Sequence, residues 1–109
     1  MEVRDPSWLC EPVYAVLRAR GAALCLHDLI PDHPRVVTAD FVYLRFHGDP
    51  LRVGYTAARL AAEARRVRAW LRQGLDVFAF FNNDAGGHAV RDALALRRRV
   101  TKPQAAAAR

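Results

Sequence analysis

The chain has 109 residues, of which 52% are hydrophobic, and its formal net charge is +6 at pH 7. This length suits one small domain with a single core, and the composition excludes a disordered protein. No apolar run approaches the ~18–20 residues that cross a bilayer, and the N-terminus lacks a signal-peptide core, so we expect a soluble, cytoplasmic protein without a membrane partner.

The positive charge does not by itself indicate a nucleic-acid-binding protein. Lys102 is the only lysine, and the basic runs Arg65–Arg68 and Arg97–Arg99 fall beside apolar stripes on predicted helices. Aromatic residues do not alternate with these arginines, as they do in many proteins that bind single strands. The runs are therefore interpreted as solvated helix faces, and nucleic acid is not expected as a partner.

The first part of the chain predicts a strand, a turn and a helix. Glu2-Val3-Arg4 predicts a strand already under way at Met1, and the turn-like stretch Asp5–Trp8 follows it. Apolar residues at helical spacing predict a helix from about Glu11 to Arg20. Gly21 suits its C-terminal cap, because glycine adopts a left-handed conformation at little cost.

Two further strands are predicted before the middle of the chain. The second is Ala22–His27 and the third is Asp40–His47. The link between them, Leu29–Thr38, contains two prolines and is too short for a long helix. His33, within this link, is interpreted as solvated.

The second half of the chain predicts a long helix, a strand and a last helix. The long helix runs from about Thr56, which can serve as its N-cap, to Gln73, with Gly74 as its C-terminal cap, and the fourth strand is Asp76–Phe81. The last helix begins near Gly87 or His88 and extends to about Val100. The resulting order, β-α-β-loop-β-α-β-α, predicts an α/β fold with about four parallel strands and helices on the outer face.

Two stretches of the chain, Phe41–Gly48 (FVYLRFHG) and Phe80–Val90 (FFNNDAGGHAV), resemble the YecE-like family, also called domain of unknown function 72. Three further segments fit the pattern of that family. Glu2–Trp8 fits the E-x-R-x-x-S-W segment of the family, and Leu24–Asp28 fits its hydrophobic-His-Asp strand. Thr38–Asp40 fits the Thr-Ala-Asp stretch that precedes the third strand.

The resemblance covers nearly all of Met1 to Val100 and implies a TIM-like (β/α) barrel. Such barrels take roughly 200–250 residues, so the chain is expected to correspond to the C-terminal half alone, approximately the last four strands. Residues 1–100 would form this partial barrel, and residues 101–109 a flexible, alanine-rich tail.

Every predicted strand ends in polar residues. The C-terminal ends of parallel strands meet at one edge of the sheet, where barrel enzymes hold their active sites, so we expect one polar site there. Its predicted catalytic residues are Glu2, His27 and His47. Its predicted substrate-binding residues are Arg4, Asp28, Arg45, Asn82, Asn83 and Asp84.

The residue types in this site suit a small anionic molecule. Arg45 can hold a carboxylate or phosphate through two hydrogen bonds, and His47 or His27, with Glu2, can move protons. Asn82 or Asn83 would orient the substrate. An equally weighted alternative makes Arg45 structural, in an ion pair with Glu2.

Several of these residues have structural alternatives. His27 and Asp28 are neighbours in a strand and face opposite sides, so only one is expected at the site. The alternatives place His27 under a helix and Asp28 or Asp84 as a turn cap. Gly86-Gly87 is interpreted as a strand-to-helix turn rather than a phosphate loop.

No cofactor is predicted. Four residues, Glu2, His27, Asp28 and His47, are suitable metal ligands, but no local ligand spacing supports a metal site, which ranks below a metal-free anion site. Cys10 and Cys25 have no metal-binding spacing and are interpreted as reduced, mostly buried thiols.

Two functions of different classes follow from this reading. The first is an enzyme-like, anion-binding acid/base site on a truncated half-barrel, with no reaction named. The second is a non-catalytic assembly module that pairs through its open sheet edge, either as a homo-oligomer or with the missing N-terminal half.

Overall fold

The computed structural model describes residues 1–48 and 54–101. In these ranges the helices are α1 (Glu11–Ala19), α2 (Ala57–Arg72) and α3 (His88–Thr101), and the strands are β1 (Cys25–His27), β2 (Phe41–Phe46) and β3 (Asp76–Phe81). Short 3-10 turns at Pro6–Trp8 and Ala85–Gly87 complete the elements.

The three strands form one parallel sheet in the order β1-β2-β3. Tyr43 of β2 lies opposite Cys25 on one side and Phe78 on the other, and Arg45 lies opposite His27 and Phe80. The α/β class and the parallel pairing predicted from the sequence are confirmed.

The predicted first strand is not confirmed. Residues Met1–Arg4 adopt no strand conformation, although the N-terminal ammonium donates to the Ala23 carbonyl at 2.7 Å and the Cys25 amide donates to the Met1 carbonyl at 2.8 Å. The segment therefore lies beside β1 without forming a ladder, and the described sheet has three strands rather than four.

The second strand is shorter than predicted. It begins at Cys25 rather than Ala22, because the Leu24 amide donates to the Thr38 hydroxyl at 2.9 Å instead of joining a strand ladder. The Thr38 hydroxyl donates in turn to the Ala22 carbonyl at 2.6 Å. Side-chain capping by the proline-containing link thus replaces the first part of the strand.

The helix boundaries and the last strand agree closely with the sequence prediction. The Thr56 hydroxyl accepts a hydrogen bond from the Arg59 amide and caps α2 as expected. Gly21 and Gly74 follow α1 and α2 with φ of +62° and +84°, the left-handed values that the cap prediction requires. The predicted tail lies outside the described residues except for Thr101, which ends α3.

The core lies between the helices and one face of the sheet. Alternate residues of β2, namely Val42, Leu44 and Phe46, face this core. They pack against buried residues of α2 and α3, namely Leu60, Ala64, Val67, Trp70 and Leu96. The Cα atoms span only 19 Å along the shortest axis, which corresponds to one sheet and one helix layer. None of the described helices is long and apolar enough to cross a membrane.

Candidate functional site

Five of the predicted site residues, Glu2, Arg4, Arg45, His47 and Asn82, meet at the C-terminal edge of the sheet. Oε1 of Glu2 accepts a hydrogen bond from Arg45 at 3.0 Å and lies 3.3 Å from Nε2 of His47. The Arg45 guanidinium also donates to the Asn82 side-chain oxygen, at 2.9 and 3.3 Å. Arg45 therefore spans the sheet edge from the N-terminal segment to the residue that follows β3.

Glu2 is held as a carboxylate by this arrangement. Burial alone would raise its pKa, but hydrogen bonds from Arg4 and His47 and the charges of Arg4 and Arg45 outweigh burial and lower the pKa to about 2. A group with so low a pKa is a weak base near neutral pH. Glu2 consequently orients and neutralises its neighbours, and it forms an ion pair with Arg45.

His47 is fixed by contacts on both its ring and its backbone. Because Glu2 is ionised, Nε2 is the ring nitrogen that carries a proton and donates to Oε1, which leaves the lone pair of the neutral ring on Nδ1. The His47 amide donates to Oδ1 of Asp28 at 2.8 Å. Among residues 1–48 and 54–101, Nδ1 has no hydrogen-bond partner.

Asp28 is tied to Tyr55, a residue that the sequence left without a role. The Tyr55 hydroxyl donates to Oδ2 of Asp28 and accepts from the Gly48 amide at 2.8 Å. Burial, followed by the hydrogen bond to Asp28 and its charge, raises the pKa of the Tyr55 phenol well above its usual range. Asp28 and Tyr55 thus clamp the end of β2 to the end of β1 and keep His47 in place.

His27 is placed differently from His47. Its side chain is buried, its Nε2 donates to the Val3 carbonyl at 2.7 Å, and its Nδ1 accepts from the Leu29 amide at 3.2 Å. Both ring nitrogens are engaged by backbone groups, so this arrangement leaves neither to exchange a proton with a substrate.

The two asparagines after β3 point in different directions. Asn82 is exposed and joins Arg45, whereas Asn83 is buried and its amide donates to Oδ2 of Asp92 in α3 at 2.8 Å. Asp84 is exposed, and its side chain makes no capping hydrogen bond. The sheet edge therefore brings Asn82 to the cluster and directs Asn83 into the helix layer.

The interpretation of His33 as solvated is wrong. Only 8% of this residue is exposed, its Nδ1 donates to the Pro34 carbonyl at 2.8 Å, and its ring packs edge-on against His27 at 4.6 Å. Desolvation by burial lowers the pKa of the His33 imidazole. The link folds back over the end of β1, and its prolines alone did not indicate this.

Two buried carboxylates escaped the sequence reasoning. Asp92 accepts from the Tyr55 amide at 3.1 Å, and Glu63 of α2 pairs with Arg59 at 3.0 Å and with Arg66 at 3.3 Å. Glu63 stands three residues after Leu60, so helical spacing already places it beside the apolar stripe. For Asp92 the sequence offered no comparable signal, since its partners are distant in the chain.

The described residues offer no metal site, and the thiol of Cys25 is not activated. No three histidine, cysteine, aspartate or glutamate residues in residues 1–48 and 54–101 are arranged to hold a metal ion. Cys25 is buried, and burial together with the charge of Glu2, 3.7 Å away, raises the pKa of its thiol to about 11. Cys10 is only partly buried.

Comparisons with known proteins point to one family. The family model described as "Protein of unknown function DUF72" matches residues 1–109. No functionally curated protein shows significant similarity to the chain.

Two solved structures share the fold. A DUF72 family protein from Thermotoga maritima MSB8 is 26% identical with a TM-score of 0.76, and the match covers 88% of this chain and 43% of that one. A DUF72 family protein from Enterococcus faecalis V583 is 22% identical with a TM-score of 0.76, and the match covers 95% and 47%. The chain thus spans less than half the length of either relative.

Proposed function

The chain belongs to the DUF72 family of proteins of unknown function, and from this premise we propose that it binds a small anionic molecule at the Arg45 cluster, with His47 as the proton-transfer group. The observation that carries the proposal is the position of the Arg45 guanidinium between Glu2 and Asn82. A guanidinium has five N–H donors, and three of them are used in this arrangement. The remaining donors on the two terminal nitrogens suit a carboxylate or phosphate oxygen.

The charge of the cluster is compatible with an anion. Arg4 and Arg45 supply two positive charges, and Glu2 supplies one negative charge that is already paired with both. The Arg45 side chain is 30% exposed, so a ligand can reach it from solvent. Asp28 is engaged by Tyr55 and by the His47 amide, which turns its oxygens away from the proposed ligand.

His47 is the proposed base in this site. Glu2 fixes the proton on Nε2, so Nδ1 is the nitrogen that accepts a proton from a bound molecule. A carboxylate that accepts a hydrogen bond from a histidine fixes the tautomer and the orientation of its ring, as metal-ligand and triad histidines show in other proteins. Glu2 is thus proposed as a positioning residue and His27 as a structural one.

We further propose that the sheet and its helices form part of a TIM-like barrel. A parallel sheet with helices on one face and polar residues at the carboxyl ends of its strands supports this. The alternative function, an assembly module that pairs through an open sheet edge, is supported by the outer edge of β3, which has no strand partner among the described residues.

Thermal unfolding in the presence of small anions tests the proposed site. An anion at ten times its Kd stabilises a protein by about 1.4 kcal/mol, which raises the Tm of a domain of this size by several degrees. We expect phosphate or a small dicarboxylate to produce this rise in the wild type, against sodium chloride at the same ionic strength. Arg45→Ala should abolish the rise, and Arg45→Lys should retain part of it.

Two further variants complete the experiment. His47→Ala should weaken the anion-dependent rise, and Arg18→Ala, at an exposed arginine on α1, should leave it unchanged. Anion-dependent stabilisation that survives both Arg45→Ala and His47→Ala would contradict the proposal, as would no stabilisation by any anion.

A further inference from the structure

Asp92 occupies a position in α3 where the helical pattern calls for an apolar residue. It stands three residues after Ala89 and four before Leu96, both of which are buried, so it lies on the same face of the helix. Only 7% of Asp92 is exposed. A buried carboxylate costs desolvation free energy unless hydrogen bonds compensate it, so its partners determine what it contributes to the protein.

Asp92 joins two segments at the carboxyl edge of the sheet. Its Oδ2 atom accepts from the backbone amide of Tyr55 at 3.1 Å and from the side-chain amide of Asn83 at 2.8 Å. Tyr55 immediately precedes Thr56, the N-cap of α2, and Asn83 is the second residue after β3. One oxygen atom therefore ties the segment that enters α2 to the segment that leaves β3.

The segment that enters α2 carries the contacts that hold His47. The Tyr55 hydroxyl donates to Asp28 and accepts from the Gly48 amide at 2.8 Å. Asp28 in turn accepts from the His47 amide at 2.8 Å. The Tyr55 ring also packs edge-on against Phe46, the last residue of β2, with ring centroids 5.6 Å apart. A shift of the Tyr55 backbone would consequently move the groups that fix His47.

The segment that leaves β3 carries a contact that holds Arg45. Asn83 directly follows Asn82, whose side-chain oxygen accepts from Arg45 at 2.9 Å. Because the two asparagines are neighbours in the chain, the hydrogen bond of Asn83 to Asp92 limits where Asn82 can lie. Asp92 is thus connected to Arg45 through one segment and to His47 through the other.

We infer that Asp92 is a positioning residue for the anion site, because it fixes the two segments on which the geometry of Arg45 and His47 depends. Loops at strand ends are more mobile than the strands, and a site keeps its geometry only when its supporting groups are themselves held. Asp92 provides that support from a helix, which is a rigid element. The effect on ligand binding rests on the proposed function, whereas the hold on the two segments can be measured without a ligand.

Amide hydrogen exchange, measured by NMR on the whole chain, tests this hold directly. Asp92→Ala should speed exchange of the His47 and Gly48 amides by about tenfold relative to the amides within β2, since both donate to groups that Tyr55 keeps in place. Asp92→Asn keeps one acceptor oxygen and should show a smaller selective increase.

Leu96→Ala is the matched control for a loss of packing in α3. Leu96 is 4% exposed and lies one turn after Asp92 on the same face, but its side chain offers no hydrogen bond to either segment. This variant should speed exchange throughout the core without a selective effect at His47 and Gly48. Circular dichroism sets the temperature at which all variants are folded, and Asp92→Asn carries the test where Asp92→Ala does not fold.

Titration calorimetry with inorganic phosphate and with succinate tests the consequence for the site. Asp92→Ala should weaken the binding of the anion by about tenfold, the usual effect of removing a group that supports a ligand-binding residue, and Leu96→Ala should leave it nearly unchanged. A wild type that binds neither anion contradicts the proposed function, and the exchange rates alone then decide the role of Asp92. No selective exchange at His47 and Gly48 in either Asp92 variant, or anion binding that both variants leave unchanged, would overturn the inference.

Discussion

Arg45 shows how one side chain can be structural and still remain available to a ligand. Its guanidinium holds Glu2 on one side and Asn82 on the other, which fixes its position at the sheet edge. A rigidly held arginine loses little conformational freedom when an anion binds, so the ion pair prepares the site rather than competing with it. The two interpretations of Arg45 from the sequence are therefore compatible.

Glu2 should contribute to stability in a pH-dependent way. Its pKa falls from 4.5 to about 2 on folding, so its contribution is fully present above pH 4.5 and is lost as the pH falls towards 2. We expect Glu2→Gln to lower the free energy of unfolding by about 1–2 kcal/mol at pH 7, a figure reduced because Arg4 is largely exposed. Urea denaturation at pH 7 and pH 3 should show the difference between wild type and variant shrinking at the lower pH.

Glu11 provides the matched control for Glu2. It pairs with Arg18 at 2.7 Å, but both side chains are exposed, and such surface pairs are worth about 0–1 kcal/mol. Glu11→Gln should therefore change the unfolding free energy less than Glu2→Gln. Equal effects of the two variants at pH 7, or a Glu2→Gln effect that does not shrink at pH 3, would show that the Glu2 network does not stabilise the fold.

At the level of elements, the start of α2 depends on one side chain. The Thr56 hydroxyl accepts from the Arg59 amide at 3.1 Å, one of the helix N–H groups that has no partner within the helix. Thr56→Ala should destabilise the protein by about 1 kcal/mol, and Thr56→Ser should restore most of the loss. The midpoint of urea unfolding measures both, and a Thr56→Ala midpoint equal to that of the wild type would contradict the capping role.

The sequence predicted the elements whose signals are local. The cap at Thr56, the strand Asp76–Phe81 and the turn glycine at position 74 depend on neighbouring residues, and the structure confirms them. The shortened β1 could not be predicted, because Thr38 competes for the Leu24 amide from 14 residues away. The prediction of a first strand is not confirmed, since Glu2–Arg4 forms no strand ladder.

The same difference between local signals and distant contacts explains which features of the candidate site could be predicted. The position of the polar cluster follows from the rule for the ends of parallel strands, and Arg45, His47, Glu2 and Asn82 do meet there. The division of labour among them could not be predicted, because it depends on partners far away in the chain. His27 donates to the Val3 carbonyl and Asn83 donates to Asp92. Neither hydrogen bond can be predicted from the spacing of neighbouring residues in the sequence.

On the scale of the whole molecule, much of the positive charge is already used within the protein. Several arginines hold carboxylates or backbone carbonyls; they include Arg4, Arg18, Arg45, Arg59, Arg66, Arg68 and Arg91. These contacts hold the guanidinium groups against the protein surface rather than in one basic groove. They support the expectation from the sequence that nucleic acid is not a partner, which stays a prediction.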